Sequence, residues 1–114
     1  KEREFADAPN GIVGLETALG VLGAWLVKPG ILTYAQLVDR MACAPARIFN
    51  LPGGTLRRGA VGDVTVFDPT AEWVVDPKAF RSKGRNSPYA GHTLVGRAHA
   101  TVVGAMHHQR FGVA

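Results

Sequence analysis

The residues best placed for chemistry form a loop that leads into a helix, at positions 5–19. Pro9 fixes its own φ, and the following Asn10 and Gly11 tolerate a positive φ. Backbone N–H groups in this loop could face an anion or a polarised carbonyl, because Gly11 has no Cβ to keep a ligand away. Glu16 in the first helical turn complements the helix dipole, which we favour over a role as general base. The alternative for the loop is a plain turn that only positions the helix.

Side chains that could bind a metal or act as nucleophiles are few and unpatterned. None of His92, His99, His107 and His108 forms a His-x-His pair, and none lies four residues from another on a predicted helix. His107 and His108 would point to opposite faces of a strand, so one metal ion could not easily bind both. Cys43 has no patterned histidine partner and is typical of a small buried residue. We therefore predict no metal ligand and no catalytic residue in this sequence.

The charge of the chain is unevenly distributed. Of its 114 residues, 46% are hydrophobic, a globular composition. Residues 1–76 carry seven Lys or Arg against nine Asp or Glu, whereas residues 77–114 carry six Lys or Arg and no acid. Such a basic tail could bind nucleic acid, but no aromatic side chains are interleaved with the cations. We favour a basic surface that faces an acidic one in a larger protein, and we predict no nucleic-acid partner.

Helices are predicted first and strands last, which in a free-standing domain would be an α+β fold. The first helix is apolar almost all round, so we expect other protein to cover it, and Gly20 and Gly23 would permit close packing. Thr33 opens a second helix with a capping box, and Pro45 suits the start of a third. The predicted first helix spans 15–28, and the predicted strands lie at 62–69, 72–76, 94–103 and near 106–111.

Targeting signals are not visible. The apolar run at 21–27 is too short to span a bilayer, and no signal peptide is recognisable. We expect a cytoplasmic protein without a membrane partner. Since Lys1 stands where an initiator Met would be expected, we also expect the chain to be a fragment or processed product of a larger protein.

Several segments resemble bacterial dihydroorotases, metal-dependent cyclic amidohydrolases of pyrimidine biosynthesis. The run Ala-Pro-Asn-Gly-Ile-Val-Gly-Leu-Glu-Thr-Ala-Leu at 8–19 is similar to the segment after the last barrel strand, and residues 1–5 fit the tail of the Asp-His-Ala-Pro-His…Glu-Lys motif. Residues 44–51 followed by 62–69 resemble the passage from the barrel to the flanking β-sandwich across many cyclic amidohydrolases, and residues 82–91, 94–97 and 101–104 resemble the dihydroorotase C-terminus. Residues 106–114 depart from the pattern, because His107-His108-Gln109 replaces an aliphatic strand.

This resemblance implies an α/β fold in which the chain is the C-terminal part of a (β/α)₈ barrel enzyme. Residues 1–55 would be the end of the barrel domain, with its loop and outer helices. Residues 56–114 would supply strands of the flanking β-sandwich. Backbone groups of Asn10 and Gly11 would contact the substrate, although the family often has an aromatic residue at the position of Asn10.

The activity implied is reversible hydrolysis of dihydroorotate to N-carbamoyl-aspartate. Zinc would be the cofactor, bound by residues upstream of Lys1. The catalytic aspartate would also lie upstream of Lys1. The partners implied are the remainder of the same enzyme and further copies in a homo-oligomer. The alternatives are another cyclic amidohydrolase, such as an allantoinase or hydantoinase, and a non-catalytic dihydroorotase-like subunit.

Overall fold

Helices precede strands along the chain, as predicted. The computed structural model describes residues 4, 7, 8, 10–104 and, as backbone, 107–110. The helical elements are α1 (Ala18–Leu22), a π-helical turn (Gly23–Val27), α2 (Tyr34–Val38), a second π-helical turn (Asp39–Cys43) and α3 (Ala44–Ile48), and the strands are β1 (Val64–Val74), β2 (Thr93–Val103) and β3 (His107–Arg110). A short 3₁₀ turn, Pro77–Ala79, lies between β1 and β2.

The predicted capping box at Thr33 is confirmed, whereas the first helix, predicted over 15–28, begins only at Ala18 because residues 15–17 form a turn. The hydroxyl of Thr33 accepts a hydrogen bond from the Gln36 amide at 3.2 Å, and the Gln36 side chain accepts one from the Thr33 amide at 2.8 Å. This reciprocal capping box satisfies two amides that have no partner within α2. Pro45 lies in the first turn of α3, which follows the second π-helical turn without a break.

The three strands form one antiparallel sheet in the order β1-β2-β3. The sequence predicted two strands at 62–69 and 72–76, but the structure has a single strand β1 whose pairing with β2 is interrupted between Asp68 and Glu72. The carboxylate of Asp68 accepts hydrogen bonds from the amides of Thr70 and Ala71 at the interruption. The turn-forming residues after Asp68 are visible in the sequence. They interrupt one strand and do not separate two, because the residues on both sides of the turn pair with β2.

The first helical segment packs directly on β2. Gly20 and Gly23 are buried on the side that faces the sheet, where a Cβ at Gly20 would lie 2.9 Å from the Cβ of Leu94. Leu94 is 0% exposed and forms a buried cluster with Val75 and Phe80. The expectation that the small residues permit close packing is therefore confirmed. No helix among the described residues is long and apolar enough to cross a membrane.

Candidate functional site

The N-terminal loop, defined as residues 10–14, has the open backbone that its sequence predicts. Gly11 adopts a φ of +68°, in the left-handed region, and among the described residues no atom beyond its two chain neighbours lies within 4 Å of the place its Cβ would take. Both Asn10 and Gly11 are exposed. The turn is compatible with a ligand contacting the backbone, because nothing in the described chain covers it.

A second loop, at residues 81–86, holds the N-terminal loop in place. The side-chain Nδ2 of Asn86 donates a hydrogen bond to the backbone oxygen of Gly11 at 3.0 Å. In return, the amide of Val13 donates to the backbone oxygen of Asn86 at 3.4 Å. One residue of the 81–86 loop therefore contacts the N-terminal loop through both its side chain and its backbone.

Glu16, in the turn that precedes α1, connects the 81–86 loop to the start of the helix. Its carboxylate accepts hydrogen bonds from the amides of Arg81 (3.1 Å) and Ser82 (3.0 Å) and from the Ser82 hydroxyl (2.8 Å). Partial burial raises the pKa of Glu16, but the hydrogen bonds from Ser82 and Arg81 and the charge of Arg85 outweigh it and lower the pKa below its ordinary value of 4.5. The sequence predicted a structural role for Glu16 through the helix dipole. The contacts support a structural role of a different kind, a tether between loop and helix.

This tether makes stability depend on pH. A carboxyl whose pKa is lower in the folded state stabilises the fold above its unfolded pKa, and this stabilisation is lost as the pH falls through the folded pKa. We expect the Glu16→Gln variant to be less stable than the parent at pH 7, by about 1 kcal/mol. The difference should shrink below the ordinary pKa of 4.5. Urea unfolding of both proteins at several pH values measures it, and a difference that does not change with pH would contradict the assignment.

A cleft of about 580 Å³ lies between the start of α1 and the sheet. Its first lining residue, Leu15, directly follows the N-terminal loop in the sequence. It is lined by Glu16, Leu19, Trp73, Phe80 and Arg97, among others. The guanidinium of Arg97 lies over the Trp73 ring at 5.6 Å from its centroid, and the indole N–H of Trp73 donates to the Gly96 oxygen at 3.1 Å. Neither Asn10 nor Gly11 lines this cleft. The predicted ligand contact and the cleft are therefore separate features.

The two histidines whose side chains the structure describes do not form a metal site. His92 is exposed and lies edge-on to the rings of Trp25 and Tyr89, and His99 is exposed on β2. The side chains of His107 and His108 lie outside the described residues. Across the part of the chain that the structure describes, no group of three or more His, Cys, Asp or Glu side chains could hold a metal ion. These residues therefore do not fit a zinc site.

Cys43 and the cleft beside it offer no further chemistry. The thiol of Cys43 is half-buried, less than the sequence predicted. It lines a shallow cleft of about 500 Å³ together with Asp39 and Arg47, which form an ion pair at 3.1 Å. No histidine is among the residues that line this cleft, and the carboxylate of Asp39 is paired with Arg47.

Comparison with known proteins gives a consistent result. The dihydroorotase of Anaeromyxobacter dehalogenans strain 2CP-1 is 55% identical over 105 residues, which are 91% of this chain and 24% of that protein. The dihydroorotase of Geobacter metallireducens is 51% identical over 104 residues, with the same coverage. The chain is similar to dihydroorotases. This dihydroorotase-like chain spans about a quarter of the length of the curated relatives it matches.

Solved structures extend the likeness to the cyclic amidohydrolases more widely. The L-hydantoinase (dihydropyrimidinase) from Arthrobacter aurescens is 35% identical, with a TM-score of 0.77 over 84% of this chain and 22% of its own. The D-hydantoinase (dihydropyrimidinase) from Thermus sp. is 27% identical, with a TM-score of 0.78 over 87% of this chain and 22% of its own. No protein-family model matches the dihydroorotase-like chain.

Proposed function

We propose that this chain is part of a dihydroorotase, which hydrolyses the cyclic amide of dihydroorotate reversibly to N-carbamoyl-aspartate. The observation that carries the proposal is the 55% identity to a dihydroorotase over 91% of the chain. The likeness of the backbone to two proteins named hydantoinase (dihydropyrimidinase) supports the reaction class.

The shape of the chain supports its place within a larger protein. Its radius of gyration is 16.0 Å, compared with about 13 Å for a compact domain of about 100 residues. Large apolar side chains remain exposed, including Leu15, Ile48, Phe49 and Leu56. Surfaces of this kind are commonly covered by further protein. We propose that residues 1–55 form the end of a (β/α)₈ barrel, that residues 56–114 belong to a flanking β-sandwich, and that the complete enzyme is a homo-oligomer.

We assign Asn10 and Gly11 to substrate binding through their backbones. The support is the left-handed turn at Gly11, its exposure, and the absence of any described atom near the missing Cβ. Zinc is the proposed cofactor, and its ligands would come from outside the described residues, since these form no metal-binding group. The role we propose for this chain in the reaction is therefore to position the substrate.

The direct test is turnover by the full-length polypeptide. We expect this polypeptide to open the ring of dihydroorotate. Chromatography of the N-carbamoyl-aspartate formed measures the reaction. Hydantoin, dihydrouracil and allantoin serve as competing substrates. Preference for one of these would favour the second candidate, a hydantoinase or allantoinase, which the hydantoinase structures support. No turnover of any of them by folded, zinc-supplemented protein would favour a non-catalytic subunit.

Gly11→Ala tests the assigned loop. Because an L-residue in the left-handed region is destabilised by about 1–2 kcal/mol, the loop should leave its binding conformation, and we expect the KM for dihydroorotate to rise about five- to thirty-fold. Gly59→Ala is the matched control, since Gly59 also has a positive φ (+85°) and open space around it. An equal KM in both variants would contradict the role of the loop.

A further inference from the structure

The 81–86 loop contacts the N-terminal loop through Asn86, and it contacts the turn before α1 through Arg81 and Ser82. Asn86 forms a hydrogen bond with Gly11, 75 residues away in sequence, and another with Val13. Glu16 bonds the other end of the 81–86 loop through Arg81 and Ser82. The turn at Gly11 is therefore fixed by a partner loop as well as by its own sequence.

The contact at Asn86 depends on the chemistry of a carboxamide. Only the NH₂ group can donate to the Gly11 oxygen, and a carboxylate at this position would place one acceptor against another. The hydrogen bond is made to the backbone carbonyl of Gly11, so it orients the peptide plane at this residue. The backbone groups of Asn10 and Gly11 beside it are those we assign to substrate binding. Close packing between the two loops adds to this orientation. The side chain of Val13 approaches Gly84 so closely that a Cβ on Gly84 would lie 2.7 Å from Cγ2 of Val13.

We propose that Asn86 is a positioning residue for substrate, which sets the orientation of the Gly11 peptide through its side-chain amide. This inference rests on the proposed function, because it takes Asn10 and Gly11 as the substrate contact. Asn86 acts through Gly11, whose backbone oxygen accepts its hydrogen bond. The expected signature is weaker substrate binding with little change in the chemical step.

The test compares Asn86→Ala and Asn86→Asp with the parent in the full-length enzyme. We expect the KM for dihydroorotate to rise about tenfold in both variants at pH 7.5, with kcat changed less than twofold. Ser87→Ala is the matched control, because Ser87 directly follows the 81–86 loop and its hydroxyl accepts a hydrogen bond from the Tyr89 amide, at 3.3 Å, within its own segment. Its KM should equal that of the parent.

The pH profile separates positioning from loss of structure. A protonated aspartic acid can donate a hydrogen bond, whereas an aspartate cannot. The KM of Asn86→Asp relative to the parent should therefore fall toward one as the pH decreases, and that of Asn86→Ala should not. Amide exchange at residues 10–14 should increase in Asn86→Ala even without substrate.

The outcomes distinguish the two proposals. A parent enzyme that opens no dihydroorotate would refute the proposed function and the inference that rests on it. A parent that opens dihydroorotate while both Asn86 variants keep its KM and its amide exchange would refute the inference alone. A tenfold rise in KM that is also seen in Ser87→Ala would assign the effect to the loop in general and would overturn the specific role of Asn86.

Discussion

Replacing Gly23 by alanine is expected to destabilise the protein by about 3 kcal/mol, at the upper end of the usual effect of overpacking. A Cβ at this position would lie 2.0 Å from the backbone oxygen of Val95, and no side-chain rotation can relieve a contact with backbone. Either the helical segment must move away from β2 or the strand must shift. In an exposed helix the same change would be stabilising by about 1 kcal/mol, so the expected effect is opposite in sign to helix propensity.

The measurement is urea unfolding of Gly23→Ala beside Gly14→Ala. Gly14 has an ordinary φ and no atom within 4 Å of its missing Cβ, so its substitution should change the free energy of unfolding by less than about 1 kcal/mol. If Gly23→Ala unfolded at the urea concentration of the parent, the close approach of helix and strand would be wrong. Such a result would also remove the explanation for glycine in a helix that is otherwise rich in apolar residues.

Local features of the fold were predictable from sequence because they depend on neighbouring residues. The capping box at Thr33 needs only the residue three positions later, and it forms as predicted. The glycines at positions 20 and 23 break helix propensity in a helix that is apolar almost all round, and close packing on a strand accounts for them. The single strand β1 was less predictable, because pairing on both sides of the turn after Asp68 depends on β2, which begins 25 residues later.

The candidate site also combines local features that the sequence predicts with long-range contacts that it does not. The positive φ at Gly11 follows from local turn chemistry, and the loop is exposed as a ligand contact requires. The role of Asn86 could not be predicted, since its partner lies 75 residues away and the residue stands in a loop rich in polar and small residues. Glu16 was noticed for its position at the helix start, but its hydrogen bonds to Ser82 required the fold. Likewise, Arg97 stacks on Trp73 only because the two strands pair.

Leu94→Ala is the substitution for which we expect the largest loss of stability, about 3–5 kcal/mol. The side chain is 0% exposed, near the start of β2, and packs with Val75 and Phe80 beneath the helical segment. Removing it loses the burial of its methyl groups and leaves a cavity against the backbone at Gly20, which has no side chain to fill the space. The loss is comparable to the whole stability of a small domain, about 5–15 kcal/mol. Thermal and urea unfolding measure it.

The matched control is Leu15→Ala, the same change at a side chain that is 94% exposed in the described chain. In the 114-residue chain it should alter the free energy of unfolding by less than about 0.5 kcal/mol, because no burial is lost. A loss below about 1 kcal/mol for Leu94→Ala would contradict its place in the core. The same pair in the full-length polypeptide tests the proposed larger enzyme, since a clear loss at Leu15 only there would mean that the rest of that protein covers this surface.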